Sequence, residues 1–117
     1  MALTKAAIFS TTDNEVHEVE VPEWGGSILL RSMTGEQRNN YEHWAHSQSK
    51  ADVPDYRGIR ERLIIACAVD EAGDPLFNDE DLKQLSGKNS EVIDRLHEKC
   101  QKICGMDADA IEEAAKN

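Results

Sequence analysis

The first regular alternation of apolar and polar positions lies at Val16-His17-Glu18-Val19-Glu20-Val21. Val19 and Val21 share one face there and Glu18 and Glu20 the other, which is the pattern of a half-buried strand. Pro22-Glu23-Trp24-Gly25-Gly26 has turn chemistry, and Ser27-Ile28-Leu29-Leu30-Arg31-Ser32-Met33 is a second extended run, so the pair predicts a β-hairpin. A hairpin alone is marginal in water, and its apolar face therefore requires a partner layer. Upstream, residues 1–14 begin with a short apolar stretch and end in the polar cluster Ser10-Thr11-Thr12-Asp13-Asn14, the reading of a loosely held segment that leads in through a loop.

Beyond the hairpin the apolar spacing changes from two to three and four. Thr34-Gly35-Glu36-Gln37 has the spacing of a capping box and predicts a helix start. That helix runs to about Ser49 with Gln37, Tyr41, Trp44 and Ala45 on one side, and Lys50 to Pro54 breaks it as a linker. Between Asp55 and Asp70, the residues Tyr56, Ile59, Leu63, Ala66 and Cys67 recur at helical steps, and Ile64 to Val69 is apolar on all sides, predicting the most buried helix. Asp70-Glu71-Ala72-Gly73-Asp74-Pro75 reads as a loop, after which Asn78 caps a short helix through Leu82 and Leu85 that stops at Gly87. A further helix begins near Ser90 with the stripe Val92, Ile93, Leu96, Cys100 and Ile103, and ends at Gly105. Asp107 caps a last, weakly amphipathic helix whose large apolar residue is Ile111. The expected fold is mainly α (α+β), an N-terminal β-hairpin followed by about five helices in one small domain over residues 15–117.

Size and charge narrow what such a domain can do. A chain of 117 residues, 39% hydrophobic and 31% charged, can bury one core without needing disulfides or metal. Its formal charge of -10 repels phosphate backbones and anionic lipid, which argues against nucleic-acid and membrane partners. No apolar run approaches the roughly 18–20 residues of a membrane span, and the first residues lack a full signal-peptide core, so a cytoplasmic protein is expected. The odd number of cysteines, Cys67, Cys100 and Cys104, fits reduced buried thiols.

Few residue groupings point to chemistry. His97, Cys100 and Cys104 can share a helix face, and sulfur with imidazole suits zinc. A tetrahedral site would need a fourth ligand from a distant segment, whereas Cys100 fits within the Leu96–Ile103 stripe as a small apolar residue, so no metal or cofactor is expected. His43 and His46 read as a solvated pair at the edge of a packing face. The acids and glycine of 70–74 do not follow the calcium-loop order. Six acids and no basic residue lie between Asp70 and Asp81, either a solvated loop that favours a helix N-terminus or a site for a basic partner. No nucleophile elbow or glycine-rich phosphate loop is present, and the chain is not expected to be an enzyme. Large side chains remain as anchors for a core or a partner. The candidate protein-binding residues are Trp24, Tyr41, Trp44, Leu76, Phe77, Asp79, Glu80 and Asp81.

The stretches Val19-Glu20-Val21-Pro22-Glu23-Trp24-Gly25-Gly26, Leu29 to Arg38, Val69 to Asp81, Leu85 to Ser90 and Gly105-Met106-Asp107 together resemble the tail assembly chaperones of long-tailed, siphovirus-type lambdoid bacteriophages. The resemblance implies a protein made in the cytoplasm of the infected host and absent from the mature virion. It would coat the phage tape measure protein, keep it soluble and help recruit tail tube protein, with self-association among its copies. It supplies no active-site residues. Some members of that family also exist as a longer form made by a ribosomal slip, and Ala115-Lys116-Asn117 can be encoded by a slippery heptamer. Two other classes stay open at this point: a small acidic regulatory or inhibitor protein that occupies a basic site, and a metal-dependent enzyme built on His97 and the cysteines.

Overall fold

The computed structural model describes residues 1–106. Strand β1 (Val16–Val21) pairs antiparallel with β2 (Gly26–Arg31), placing Val19 opposite Ile28 and Val21 opposite Gly26. Val21, Ile28 and Leu30 are buried on the inner face while Glu18 and Glu20 face out, as the alternation requires. The connection is a 3-10 turn, Pro22–Trp24, closed by Gly25 at φ 77°, a left-handed conformation that glycine adopts without strain. From this turn Glu23 receives two hydrogen bonds from the Arg95 guanidinium, at 2.7 and 3.0 Å, so the hairpin tip is tied to the last described helix.

A third strand extends the sheet. β3 (Ala68–Val69) pairs antiparallel with β2, Val69 opposite Leu29 and Ala68 opposite Leu30. The sequence predicts helix as far as Asp70, but α3 (Ile59–Cys67) stops three residues earlier and Ala68 is extended. An all-round apolar run carries no period that separates a buried helix from a buried strand, and pairing with the open edge of β2 satisfies backbone groups that would otherwise be left bare. The helix also starts late. Gly58 sits before it at φ 86°, so Tyr56 lies outside the helix and is exposed instead of joining the stripe. Leu63, Ile64 and Cys67 carry the burial of α3.

The remaining helices follow their caps. At the start of α2 (Gly35–Ser49) the Gln37 backbone N–H donates to the Thr34 hydroxyl at 3.2 Å, and the Thr34 N–H donates to the Gln37 carboxamide at 2.9 Å, completing the expected capping box. Asn78 opens a 3-10 turn, Asp79–Asp81, that leads into α4 (Leu82–Ser86). α5 (Ser90–Ile103) buries Val92, Ile93, Leu96 and Cys100 of the predicted stripe, leaves its last member Ile103 half-buried, and is ended by Gly105 at φ 67°. One core joins the inner sheet face to α3, α4 and α5 through Leu30, Leu63, Leu85 and Leu96. The mainly α fold with an N-terminal hairpin is thus the one the sequence predicts, with a strand added.

The N-terminal end differs from this compact arrangement. The first residues form α1 (Lys5–Ser10), a short helix capped by Thr4 where only a loose apolar start is expected, and none of its side chains is buried. The polar run after it is the expected loop, held at its end by Asn14, whose carboxamide donates to the Ser32 carbonyl at 3.0 Å. The helix expected from Asp107, with Ile111, lies outside the described residues.

Candidate functional site

Fifteen residues long, α2 buries no side chain completely. Its sequence explains this: only Tyr41, Trp44 and Ala45 offer apolar surface toward α3, and all three are half-buried. Gln37, Asn40, Tyr41 and Trp44 recur at steps of three and four and so line one face. That face does not close onto its neighbours. It forms one wall of a groove of about 500 Å³, whose second wall is Arg62, Ile65 and Ala66 of α3 and whose third is Pro75, Phe77, Asn78 and Asp79.

The third wall is fixed by its own hydrogen bonds. The Leu76 N–H donates to the Ala68 carbonyl at 3.0 Å and Pro75 bridges to Val69, so the chain is held along β3 as it leaves the loop. Asp70 accepts from the N–H groups of Ala72 and Asp74, at 2.9 and 3.0 Å, and Arg31 donates to the Gly73 carbonyl at 3.0 Å. Past the groove, Asn78 accepts from the Glu80 N–H and Asp81 accepts from the Asn78 N–H, both at 2.9 Å. Phe77 is therefore presented from a braced segment.

Inside the groove the Arg62 guanidinium lies over the Trp44 ring, 4.4 Å from its centroid. Such a stack is worth roughly 0.5–2 kcal/mol, more where water is excluded. The Arg62 Nε is buried and has no hydrogen-bond partner among the described residues, so the stack offsets an unmade bond. Burial is also the main reason the Tyr41 phenol is pushed above its usual range, with the Cys67 thiol adding to it, and the hydroxyl stays protonated. None of the lining residues is Ser, Cys or His. Aromatic faces, aliphatic side chains, three carboxamides and a single carboxylate make a surface for holding an apolar stripe with polar contacts at its margins.

The structure brings Tyr41, Trp44, Phe77 and Asp79 together in this groove and leaves the other candidates elsewhere. Trp24 sits in the hairpin connection, half-buried against the core. Leu76 is exposed but does not line the groove. Glu80 is exposed beside it, and Asp81 is taken up by the helix cap. Arg62 and Ile65 are not among the candidates read from the sequence, and Ala66, expected in the buried stripe, is half-buried and lines the groove. The available signal was the face of α3 adjacent to Leu63 and Cys67, reading 62, 65 and 66.

The thiol grouping takes a different form from the His97, Cys100, Cys104 set. Cys104 Sγ lies 3.6 Å from Cys67 Sγ and accepts from the Met33 N–H at 3.5 Å, while Cys67 and Cys100 are fully buried. Proton sharing with Cys100 raises the Cys67 thiol far above its usual range, and sharing with Cys67 followed by burial does the same to Cys104. His97 is lowered chiefly by burial and then by Arg60. Among the described residues no three His, Cys, Asp or Glu side chains are grouped so as to hold a metal ion.

A family model described as phage tail assembly chaperone matches residues 2–117. The fold is similar to the solved structure of the bacteriophage HK97 tail assembly chaperone, with a TM-score of 0.58 and 21% sequence identity over 85% of this chain and 89% of that one. At this identity the likeness is one of fold. None of the curated protein sequences matches the chain.

Proposed function

The chain belongs to the phage tail assembly chaperone family, and from that premise we propose that its α2–α3 groove holds the apolar stripe of the tape measure protein. In this reading several copies coat the long client helix in the host cytoplasm, keep it soluble and help recruit tail tube protein, and they are absent from the finished virion. The observation that carries it is the open aromatic groove of Tyr41, Trp44 and Phe77 on a chain with a charge of -10. An amphipathic helix laid into a groove is read through anchors at i, i+3 or i+4 and i+7. The acidic surroundings keep the complex in solution, and many weak contacts along one client add through avidity. No described helix is long and apolar enough to cross a membrane.

The acidic-inhibitor alternative draws on the stretch from Asp70 to Asp81. Asp70 accepts from the Ala72 and Asp74 N–H groups and Asp81 from the Asn78 N–H, which occupies carboxylate oxygens that a basic partner would otherwise use. Titration with a synthetic amphipathic segment of the tape measure protein tests the groove reading. Binding should weaken by about tenfold or more in Trp44→Ala, the usual cost of removing a central aromatic anchor. Equal affinity of the variant would place the client elsewhere.

A further inference from the structure

Arg62 stands apart from the other arginines. Among the described residues Arg38, Arg57, Arg60 and Arg95 each pair with a carboxylate, and Arg31 donates to the Gly73 carbonyl. Arg62 has no ion pair there, in a chain with 23 acidic residues against 13 basic ones, and its buried Nε has no hydrogen-bond partner. Asp79 shares the groove lining without answering it: Asp79 is exposed at the head of its 3-10 turn, whereas Arg62 is half-buried against Trp44. A carboxylate in water is hydrated and screened, but a guanidinium with a covered nitrogen has lost hydration that only a partner restores. The nearby carboxamides are committed elsewhere, Gln37 Oε1 accepting from the Thr34 N–H and Asn78 Oδ1 from the Glu80 N–H. The stack on Trp44 also holds the guanidinium plane before any ligand arrives, and a fixed planar fork suits a carboxylate through two parallel hydrogen bonds.

We propose that Arg62 selects the client: the amphipathic helix held in the α2–α3 groove carries an aspartate or glutamate beside its apolar anchors, and that carboxylate pairs with the Arg62 guanidinium. This rests on the groove being the client site, as proposed above, and supplies the polar contact that tells one apolar-striped helix from another. Because Arg62 lies against Trp44, the acid belongs one helical turn, three or four residues, from the anchor that meets the indole. Apolar contact provides the hold, and the ion pair provides selectivity and register, since a helix without the acid leaves a partly desolvated cation unpaired.

Blocked synthetic helices of about three turns, with Leu at i, i+3 and i+7, test the assignment. A single Glu is moved through the positions that flank the stripe, and each peptide is compared with its Gln counterpart by titration into the full-length protein. One position should bind about tenfold or more tighter as Glu than as Gln, the size of a charge-assisted bond in a partly buried site. Arg62→Gln removes the stack and so should weaken both peptides of that pair, yet it should bring their affinities together, which a purely structural role for Arg62 would not do. A preference under about threefold at every position, the size of an exposed ion pair, would overturn the assignment, as would a preference that persists in Arg62→Gln. Trp44→Ala separates this result from the functional reading. If that variant binds all the peptides more weakly while the wild type treats Glu and Gln alike, the groove stands and the Arg62 assignment fails. If Trp44→Ala binds every peptide as the wild type does, the groove reading fails and the assignment falls with it.

Discussion

Arg62 and Trp44 face each other across the boundary between α3 and α2, guanidinium over indole at 4.4 Å, and the contact fastens a helix that has no fully buried side chain. Replacing Arg62 with Ala should therefore loosen α2 selectively. Hydrogen exchange of the 35–49 amides should accelerate by about two- to thirtyfold, the equivalent of roughly 0.5–2 kcal/mol for such a stack. Amides of α5, anchored by Val92 and Leu96, should be unaffected. Equal acceleration in both helices would mean that Arg62 supports the whole core.

Leu63 is fully buried where α3 meets the sheet and α5. Leu63→Ala should cost roughly 2–5 kcal/mol in denaturant unfolding, from lost transfer energy and the cavity left behind. A loss well under about 1 kcal/mol would remove Leu63 from the core.

His97 supplies a pH dependence of definite sign. Burial, and after it Arg60, lower its folded-state pKa below the ordinary histidine value of about 6.5, so the folded protein favours the neutral ring. The stability this contributes is fully present above the unfolded pKa and is lost as pH falls from about 6.5 toward the lowered folded value. The melting temperature should fall between about pH 7 and pH 5, and His97→Gln should flatten part of that fall. A His97→Gln curve that runs parallel to the wild type would contradict the assignment.

The thiols should be slow to react. Cys67 and Cys100 are fully buried, and Cys67 and Cys104 are held protonated by their surroundings. Ellman's reagent near neutral pH should label the native protein far more slowly than the unfolded chain, where all three cysteines react. A fast phase of one thiol in the native protein would show that Cys104 ionises readily.

The parts of this fold that were legible in the sequence are those encoded locally. Val19 and Val21 alternate with Glu18 and Glu20, the Thr34 and Asn78 caps are complete within four residues, and the Val92 to Ile103 stripe keeps one helical face. The run Ile64 to Val69 was apolar in every direction, so its change from helix to strand at Ala68 was decided by the open edge of β2, a partner nearly forty residues upstream. The groove was half legible for the same reason. Tyr41, Trp44 and Phe77 stand out as large aromatics, but their convergence depends on the tertiary placement of 75–79, and Arg62 gives no sign in sequence that its charge will lie on an indole.

Co-expression of the chain with the tape measure protein from the same phage genome tests the central claim most directly. The account predicts a soluble complex that holds several copies per client and survives about half-molar salt, at which exposed ion pairs more than a few Å apart are screened and apolar contacts persist. A client no more soluble with the protein than without it, and no complex isolated even at low salt, would contradict the account.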